Sequence, residues 1–95
     1  MFYRVTRYEY PAERYDDILA WAETKTDILR GIDGLQSVDT FVPGPGEGMI
    51  VAAYDSEEAF DAVSETVTAM LGELGQFMTS SPMTSSGTVD WTTRA

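Results

Sequence analysis

The order of predicted elements indicates an α+β domain with the ferredoxin-like arrangement β-α-β-β-α-β, a four-stranded antiparallel sheet with two helices on one face. The 95-residue chain contains two long stretches with helical periodicity, and the segments around them are rich in the aromatic and β-branched residues of strands. Clusters of Gly and Pro separate these segments, and no linker or internal repeat divides the chain. Residues 1–95 are therefore expected to form one domain.

The first strand and the first helix follow directly from local sequence. The strand is predicted from Phe2 to Tyr10, because the residue before Pro11 favours extended backbone. A helix is predicted over residues 12–30, which contain no Gly or Pro. Its apolar stripe consists of Tyr15, Ile18, Leu19, Ala22 and Leu29, and a flanking stripe consists of Trp21, Lys25, Ile28 and Ile32.

The middle of the chain predicts a β-hairpin. Residues 35–42 and 49–54 read as strands on either side of a connection over residues 43–48, which holds three Gly and two Pro. Strict alternation of side chains places Leu35 and Phe41 on one face of the first of these strands and Val38 on the other.

The last two elements are a helix and a strand. Ser56 is a favoured N-cap, and the two glutamates after it suit the positive end of a helix over residues 56–78. Two glycines late in this helix are expected to fray or kink its last turn. The final strand is predicted over residues 84–93, with Val89 and Trp91 on the same face.

Apolar side chains occur on both faces of the predicted sheet, although the two helices cover only one. The simplest cover for the second face is the sheet of another copy, which predicts a homodimer that buries about 2,000 Å² or more. Val38, Val51 and Val89, or their neighbours on the opposite face, are expected in this interface, and the sequence leaves the choice of face open. The alternative is that these residues reflect only β-propensity on a half-exposed sheet.

Three short stretches of the sequence resemble a known superfamily. They are Gly34-Leu35-Gln36-Ser37-Val38, Tyr54-Asp55-Ser56-Glu57-Glu58-Ala59 and Gly87-Thr88-Val89-Asp90-Trp91. With the order of elements, they resemble the dimeric α+β barrel superfamily, in particular the antibiotic biosynthesis monooxygenase-like domains. The resemblance implies either cofactor-independent oxidation of a phenolic or quinol-type substrate, or haem degradation. The haem-degrading type resembles sites built from Asn, Trp and His, and the sequence has neither Asn nor His, so haem degradation is excluded.

Composition excludes several other functions. Without Cys and His, the chain cannot form disulfides, zinc sites based on thiolate or imidazole, or His-dependent catalytic triads. The net charge of −10 repels nucleic acid and anionic lipid. The sequence contains no apolar run of membrane-spanning length and no signal-peptide pattern at its start, so a cytoplasmic location is expected. Paired acids such as Asp16-Asp17 diverge on a helix, so no metal or other cofactor is predicted.

Five residues are candidates for the wall of a ligand pocket: Arg4, Tyr8, Tyr15, Trp21 and Trp91. Arg4 shares a strand face with Tyr8, so a cation could lie beside aromatic rings and orient a phenolate. Tyr15 could add a hydroxyl donor. The resemblance assigns no catalytic residue position by position. The alternative is that all five are packing residues.

Three functions remain open at the level of sequence. The first is a cofactor-independent oxygenase that oxidises a small phenolic or quinol-type substrate. The second is a non-catalytic protein that binds a small aromatic ligand in the same pocket. The third is a structural dimerisation module with a filled core. A pocket lined by Tyr, Trp and Arg would favour the first two functions.

The large negative charge leads to a prediction about salt. One Lys against sixteen acids suggests an acidic cytosol, such as that of a salt-adapted organism. Because self-repulsion of the folded chain weakens when salt screens it, the melting temperature should rise from low salt to about 0.5 M NaCl. Calorimetry over that range measures the effect, and a flat melting temperature would contradict the role of self-repulsion.

Overall fold

The computed structural model describes residues 1–94. One four-stranded antiparallel sheet has the order β2-β3-β1-β4, which confirms the predicted ferredoxin-like arrangement. Its strands are β1 (Phe2–Glu9), β2 (Leu35–Gly44), β3 (Glu47–Tyr54) and β4 (Met83–Thr88), and its helices are α1 (Tyr15–Glu23), α2 (Thr26–Arg30) and α3 (Glu57–Leu74). None of the helices in this part of the chain is long and apolar enough to cross a membrane.

The single helix predicted over residues 12–30 is broken into three pieces. A 3-10 turn over Ala12–Arg14 precedes α1, and a break at Thr24 and Lys25 separates α1 from α2. At the break, the Thr24 hydroxyl donates to the Trp21 carbonyl oxygen at 2.6 Å, and the backbone N–H groups of Thr24 and Lys25 donate to carbonyl oxygens three residues back. A Thr side chain that bonds to the backbone competes with the helical ladder, so the helix tightens and ends here.

The predicted hairpin connection is shorter in the structure. Strands β2 and β3 extend into the Gly- and Pro-rich segment, so that only Pro45 and Gly46 form the turn. Gly46 has a φ of +75°, which glycine adopts without steric cost. Pro43 lies within β2, where it is tolerated because β2 is an edge strand.

A register irregularity at the start of β2 corrects the predicted alternation. Leu35 pairs with Tyr54 and Ser37 pairs with the adjacent Ala53, so Gln36 is an extra residue in the ladder. As a result Leu35 and Val38 both face the helices, where they pack against a buried cluster of the core. The prediction that these two side chains point to opposite faces was wrong, because strict alternation does not allow for a bulge.

The helix predicted over residues 56–78 corresponds to α3, and it begins as predicted. Ser56 is the N-cap of α3, and its hydroxyl oxygen accepts a hydrogen bond from the Ala59 N–H at 3.1 Å. The helix ends at Leu74 and continues as a 3-10 turn over Gly75–Phe77. The weakened last turn expected from the glycines is therefore observed as this change of helix type.

The last strand is shorter than predicted. The antiparallel register sets Thr88 opposite Phe2, the first residue of β1, and the ladder ends there. One further hydrogen bond joins the Val89 N–H to the Met1 carbonyl oxygen at 2.9 Å. Val89 and Trp91 thus lie beyond β4, and the prediction of a strand to residue 93 was wrong.

The two faces of the sheet differ in what covers them. On β1 the helix-facing residues are Phe2, Arg4, Thr6 and Tyr8, all of which are buried. The other face, here called the uncovered face, carries a set of apolar side chains of which none belongs to the two buried clusters. From the strand register, this set consists of Tyr3, Val5, Phe41, Met49, Val51, Ala53 and Met83.

Candidate functional site

A cavity of about 110 Å³ lies between the helices and the sheet. Its lining is almost wholly apolar and comes from β1, β2, β3, α1, α2 and α3, together with the break between α1 and α2. The only charged residues among those that line it are Arg4 and Lys25. The other residues that line it include Trp21, Ala22, Leu35, Val38, Thr40 and Tyr54.

Arg4 is a buried cation without an acidic partner. The residue is only 6% exposed, and its guanidinium carbon lies 4.4 Å from the centre of the Phe60 ring. Within residues 1–94 the Nε atom has no hydrogen-bond partner, and no carboxylate forms an ion pair with this side chain. Stacking on an aromatic face stabilises a desolvated guanidinium, but it does not replace an anion. The cavity wall therefore carries an uncompensated positive charge.

Tyr54 places a phenol in the same cavity. It lies on the helix-facing side of β3, across from Phe2 in the register, and it is 1% exposed. Burial raises the pKa of the Tyr54 phenol, and the nearby charge of Arg4 partly opposes that rise. Because the phenol is neutral at physiological pH, it can donate a hydrogen bond to an oxygen of a ligand.

At the rim of the cavity, hydrogen bonds from Trp21 and Lys25 to Glu73 join α1 and the break after it to α3. Glu73 accepts hydrogen bonds at Oε1 from Lys25 Nζ at 2.7 Å and from Trp21 Nε1 at 3.4 Å. The hydrogen bonds from Lys25 and Trp21 lower the pKa of the Glu73 carboxyl, so this group is ionised at neutral pH. Trp21 and Lys25 line the cavity, whereas Glu73 does not.

Two larger depressions adjoin the cavity. A groove of about 480 Å³ runs between the first two helices and β2, and it shares Leu35, Val38 and Thr40 with the cavity lining. A second depression of about 300 Å³ is lined by Tyr8, Tyr15 and Trp21 among others. All three spaces have Ala22 and Thr40 in their walls and therefore adjoin one another.

The fold is that of several solved structures, although neither a protein-family model nor a curated protein matches the sequence. A structure described as an antibiotic biosynthesis monooxygenase has a TM-score of 0.75 at 15% identity and covers 94% of this chain and 98% of its own. The chain has the same ferredoxin-like fold as this structure. Rv0793 from Mycobacterium tuberculosis has a TM-score of 0.78 at 17% identity, with 98% of each chain covered.

One structure with this fold contains a ligand. It is a monooxygenase from the gene ActVA-Orf6 of Streptomyces coelicolor in complex with nanaomycin D. Its TM-score is 0.76 at 17% identity, over 99% of this chain and 91% of that chain. At such identities the likeness establishes the fold and leaves the activity to the residues of the site.

The fold brings four of the five candidate residues to adjoining spaces. Arg4 and Trp21 line the cavity, and Tyr8 and Tyr15 line the second depression together with Trp21. Trp91 lines none of the three spaces and is 77% exposed. Its predicted place in the pocket wall was wrong, because β4 ends at Thr88 before reaching it.

Tyr8 fits under the helices because its partner strand has a glycine opposite to it. Gly48 pairs with Tyr8 in the register, and a Cβ atom at Gly48 would overlap the Tyr8 ring. The rings of Tyr8 and Tyr10 are 5.6 Å apart, and those of Tyr10 and Tyr15 are 6.4 Å apart. Burial is the main cause that raises the pKa of Tyr8 and Tyr10, so both phenols stay neutral well into the alkaline range.

Three residues in or beside the cavity were missed by sequence reasoning. Tyr54 was available as a polar residue, but its position near Arg4 depends on the pairing of β1 with β3. Lys25 and Glu73 are 48 positions apart in the sequence, and only the packing of α1 and α2 against α3 brings them together. The signal for Lys25 was its place on the stripe of Trp21, one helical turn away.

Proposed function

We propose that this chain is a cofactor-independent monooxygenase that oxidises a small phenolic or quinol-type substrate in the cavity. The observation that carries the proposal is Arg4, a buried cation with no acidic partner in an almost wholly apolar space. The names of structures with the same fold add support, since several are described as antibiotic biosynthesis monooxygenases. No group of three or more acidic side chains that could hold a metal ion occurs within residues 1–94.

Arg4 would favour the reactive form of the substrate. In a space of low dielectric, a positive charge lowers the pKa of a bound phenol and stabilises the phenolate. The phenolate is the electron-rich form that reduces O₂. Tyr54 would donate a hydrogen bond to a substrate oxygen, and the apolar wall would exclude water from the reactive anion.

The reaction balances without an added reductant. A quinol and O₂ give a hydroxyquinone and water: one oxygen atom enters the ring, and the other leaves as water. The substrate supplies all four electrons that O₂ accepts. The protein therefore needs only to bind the substrate, hold its anion and position its ring.

The second candidate is a non-catalytic ligand-binding protein. The same unpaired Arg4 supports it, because a buried cation binds an anionic aromatic ligand whether or not chemistry follows. The two functions differ in whether bound ligand reacts with O₂.

Oxygen consumption separates the two candidates. We would measure O₂ uptake with a panel of hydroquinones and anthrones, subtract the uptake without protein, and add catalase to detect hydrogen peroxide. The monooxygenase function predicts uptake above the blank with water as the second product. Binding of these rings without uptake would contradict it and favour the ligand-binding function.

We also propose that the uncovered face of the sheet pairs with that of a second copy. A face that carries Tyr3, Val5, Met49 and Val51 is more apolar than a solvent-exposed sheet face requires. Of the three valines expected in the interface, Val51 lies on this face, whereas Val38 packs toward the helices. The prediction that these valines share one sheet face was therefore wrong for Val38, and Val89 lies beyond the end of β4.

The dimer has a direct test in sedimentation velocity. Wild-type protein should sediment as a species of twice 10.5 kDa. Val51→Glu should shift it to a monomer, because a buried unpaired carboxylate costs several kcal/mol across a two-fold interface. Ala20→Glu, which adds the same charge at an exposed position of α1, is the matched control and should remain dimeric. A wild-type monomer at all concentrations would contradict the proposal.

A further inference from the structure

The cavity wall holds a second cation whose role the proposed reaction does not use. Lys25 lines the cavity and its side chain is only 18% exposed. Among the residues that line the cavity, Arg4 and Lys25 are the only charged ones, and Glu73, which pairs with Lys25, lies outside the lining. This arrangement stands out in a chain whose net charge is −10.

Lys25 retains the capacity to bind a ligand while it is paired. Its ammonium has three donors, and Glu73 accepts one of them. Glu73 lies at the rim with its side chain 47% exposed, where water weakens an ion pair. A carboxylate in the cavity can therefore bind to a free donor of Lys25, or take the place of Glu73.

We propose that Lys25 is a second anion anchor, so that the ligand is an aromatic acid with a carboxylate on the ring in addition to the phenolic oxygen held by Arg4. This inference rests on the proposed binding of a phenolic ring in the cavity. The carboxylate lies close to the ring because the cavity is small: a space of roughly 150 Å³ takes a benzene ring, so in a cavity of about 110 Å³ the acid also occupies part of the adjoining groove. Any further rings would extend past Ala22 and Thr40 into the groove.

Affinity for two matched rings tests the second anchor. Gentisate and hydroquinone share two ring hydroxyls, and only gentisate carries a carboxylate. Binding is measured by calorimetry without O₂, so that no turnover is needed. Wild-type protein should bind gentisate about tenfold more tightly than hydroquinone, as expected for one charge-assisted contact.

Two substitutions and a control assign that preference to Lys25. Lys25→Met should remove most of the preference for gentisate and leave hydroquinone affinity within about twofold. Glu73→Gln should increase gentisate affinity by about threefold, because Lys25 loses its competing carboxylate. Arg14→Met also removes one positive charge, but from an exposed ion pair with Asp17, and should change gentisate affinity by less than about twofold.

The outcomes separate this inference from the proposed function. The second anchor is overturned if wild-type protein shows no preference for gentisate, if Lys25→Met weakens both rings equally, if Glu73→Gln weakens gentisate, or if neither ring binds. O₂ uptake with hydroquinones and no preference for gentisate would overturn the anchor and leave the monooxygenase function in place. Preferential gentisate binding without uptake of O₂ would support the anchor and overturn the monooxygenase function.

Discussion

Replacing Arg4 with methionine is expected to stabilise the protein and to abolish its activity toward phenolic substrates. Arg4 is buried without an acidic partner, and an apolar side chain of similar volume removes the cost of its desolvation. The lost stacking on Phe60 offsets part of that gain. We expect the free energy of unfolding to rise by about 1–3 kcal/mol in denaturant titrations. Turnover or ligand affinity should fall at least about a hundredfold, since no other cation occupies that position.

Arg4→Met is informative because it is expected to raise stability and to lower activity. Most large side chains in a core stabilise the fold, whereas a group that is kept for function can destabilise it. Arg14→Met, which removes a guanidinium that pairs with Asp17 and lies 4.9 Å from the centre of the Phe77 ring, is the control and should change stability by less than about 1.5 kcal/mol. If Arg4→Met lowers stability by several kcal/mol, the guanidinium supports the fold and its assignment as an anion-binding group should be abandoned.

Leu74→Ala is expected to cause the largest loss of stability among single truncations in the helices. Leu74 is 1% exposed and packs in the cluster that contains Tyr8, Tyr10, Ile18 and Phe77. Removing its side chain loses burial and leaves a void, which costs about 3–4 kcal/mol in well-packed sites. This is a large share of the roughly 5–15 kcal/mol that holds such a domain together.

Thermal unfolding at a fixed protein concentration measures this loss, because a dimer would make Tm depend on concentration. Leu19→Ala is the matched control, since Leu19 lies on α1 with 40% of its surface exposed. We expect it to lose less than about 1.5 kcal/mol, because less apolar surface returns to water. Equal losses for the two variants would contradict the position of Leu74 at the centre of the core.

The order and type of the elements could be predicted from the sequence because their signals are local. Helical periodicity, the Ser56 N-cap and the β-type runs each involve residues within a few positions of one another. The same locality explains the errors at the ends of elements. The break at Thr24 and the bulge at Gln36 depend on side-chain and cross-strand hydrogen bonds that periodicity does not contain.

The candidate site was predicted only in part, because sequence signals are local. Alternation along one strand was enough to place Arg4 on the face of Tyr8, and both side chains do face the helices. The position of Trp91 depended on how far β4 pairs with β1, which is set by register and not by composition. Because β4 ends at Thr88, Trp91 does not reach the predicted pocket.

The sequence by itself determined the α+β element order, the amphipathic character of the helical segments and the fact that Arg4 shares a strand face with Tyr8. Only the tertiary structure decided that Arg4 has no acidic partner within residues 1–94, that Tyr54 lies in the same cavity, and that Lys25 is paired with Glu73. Such pairings join residues that are distant in the chain. They depend on strand register and helix packing, which many sequences with the same local pattern can satisfy in different ways.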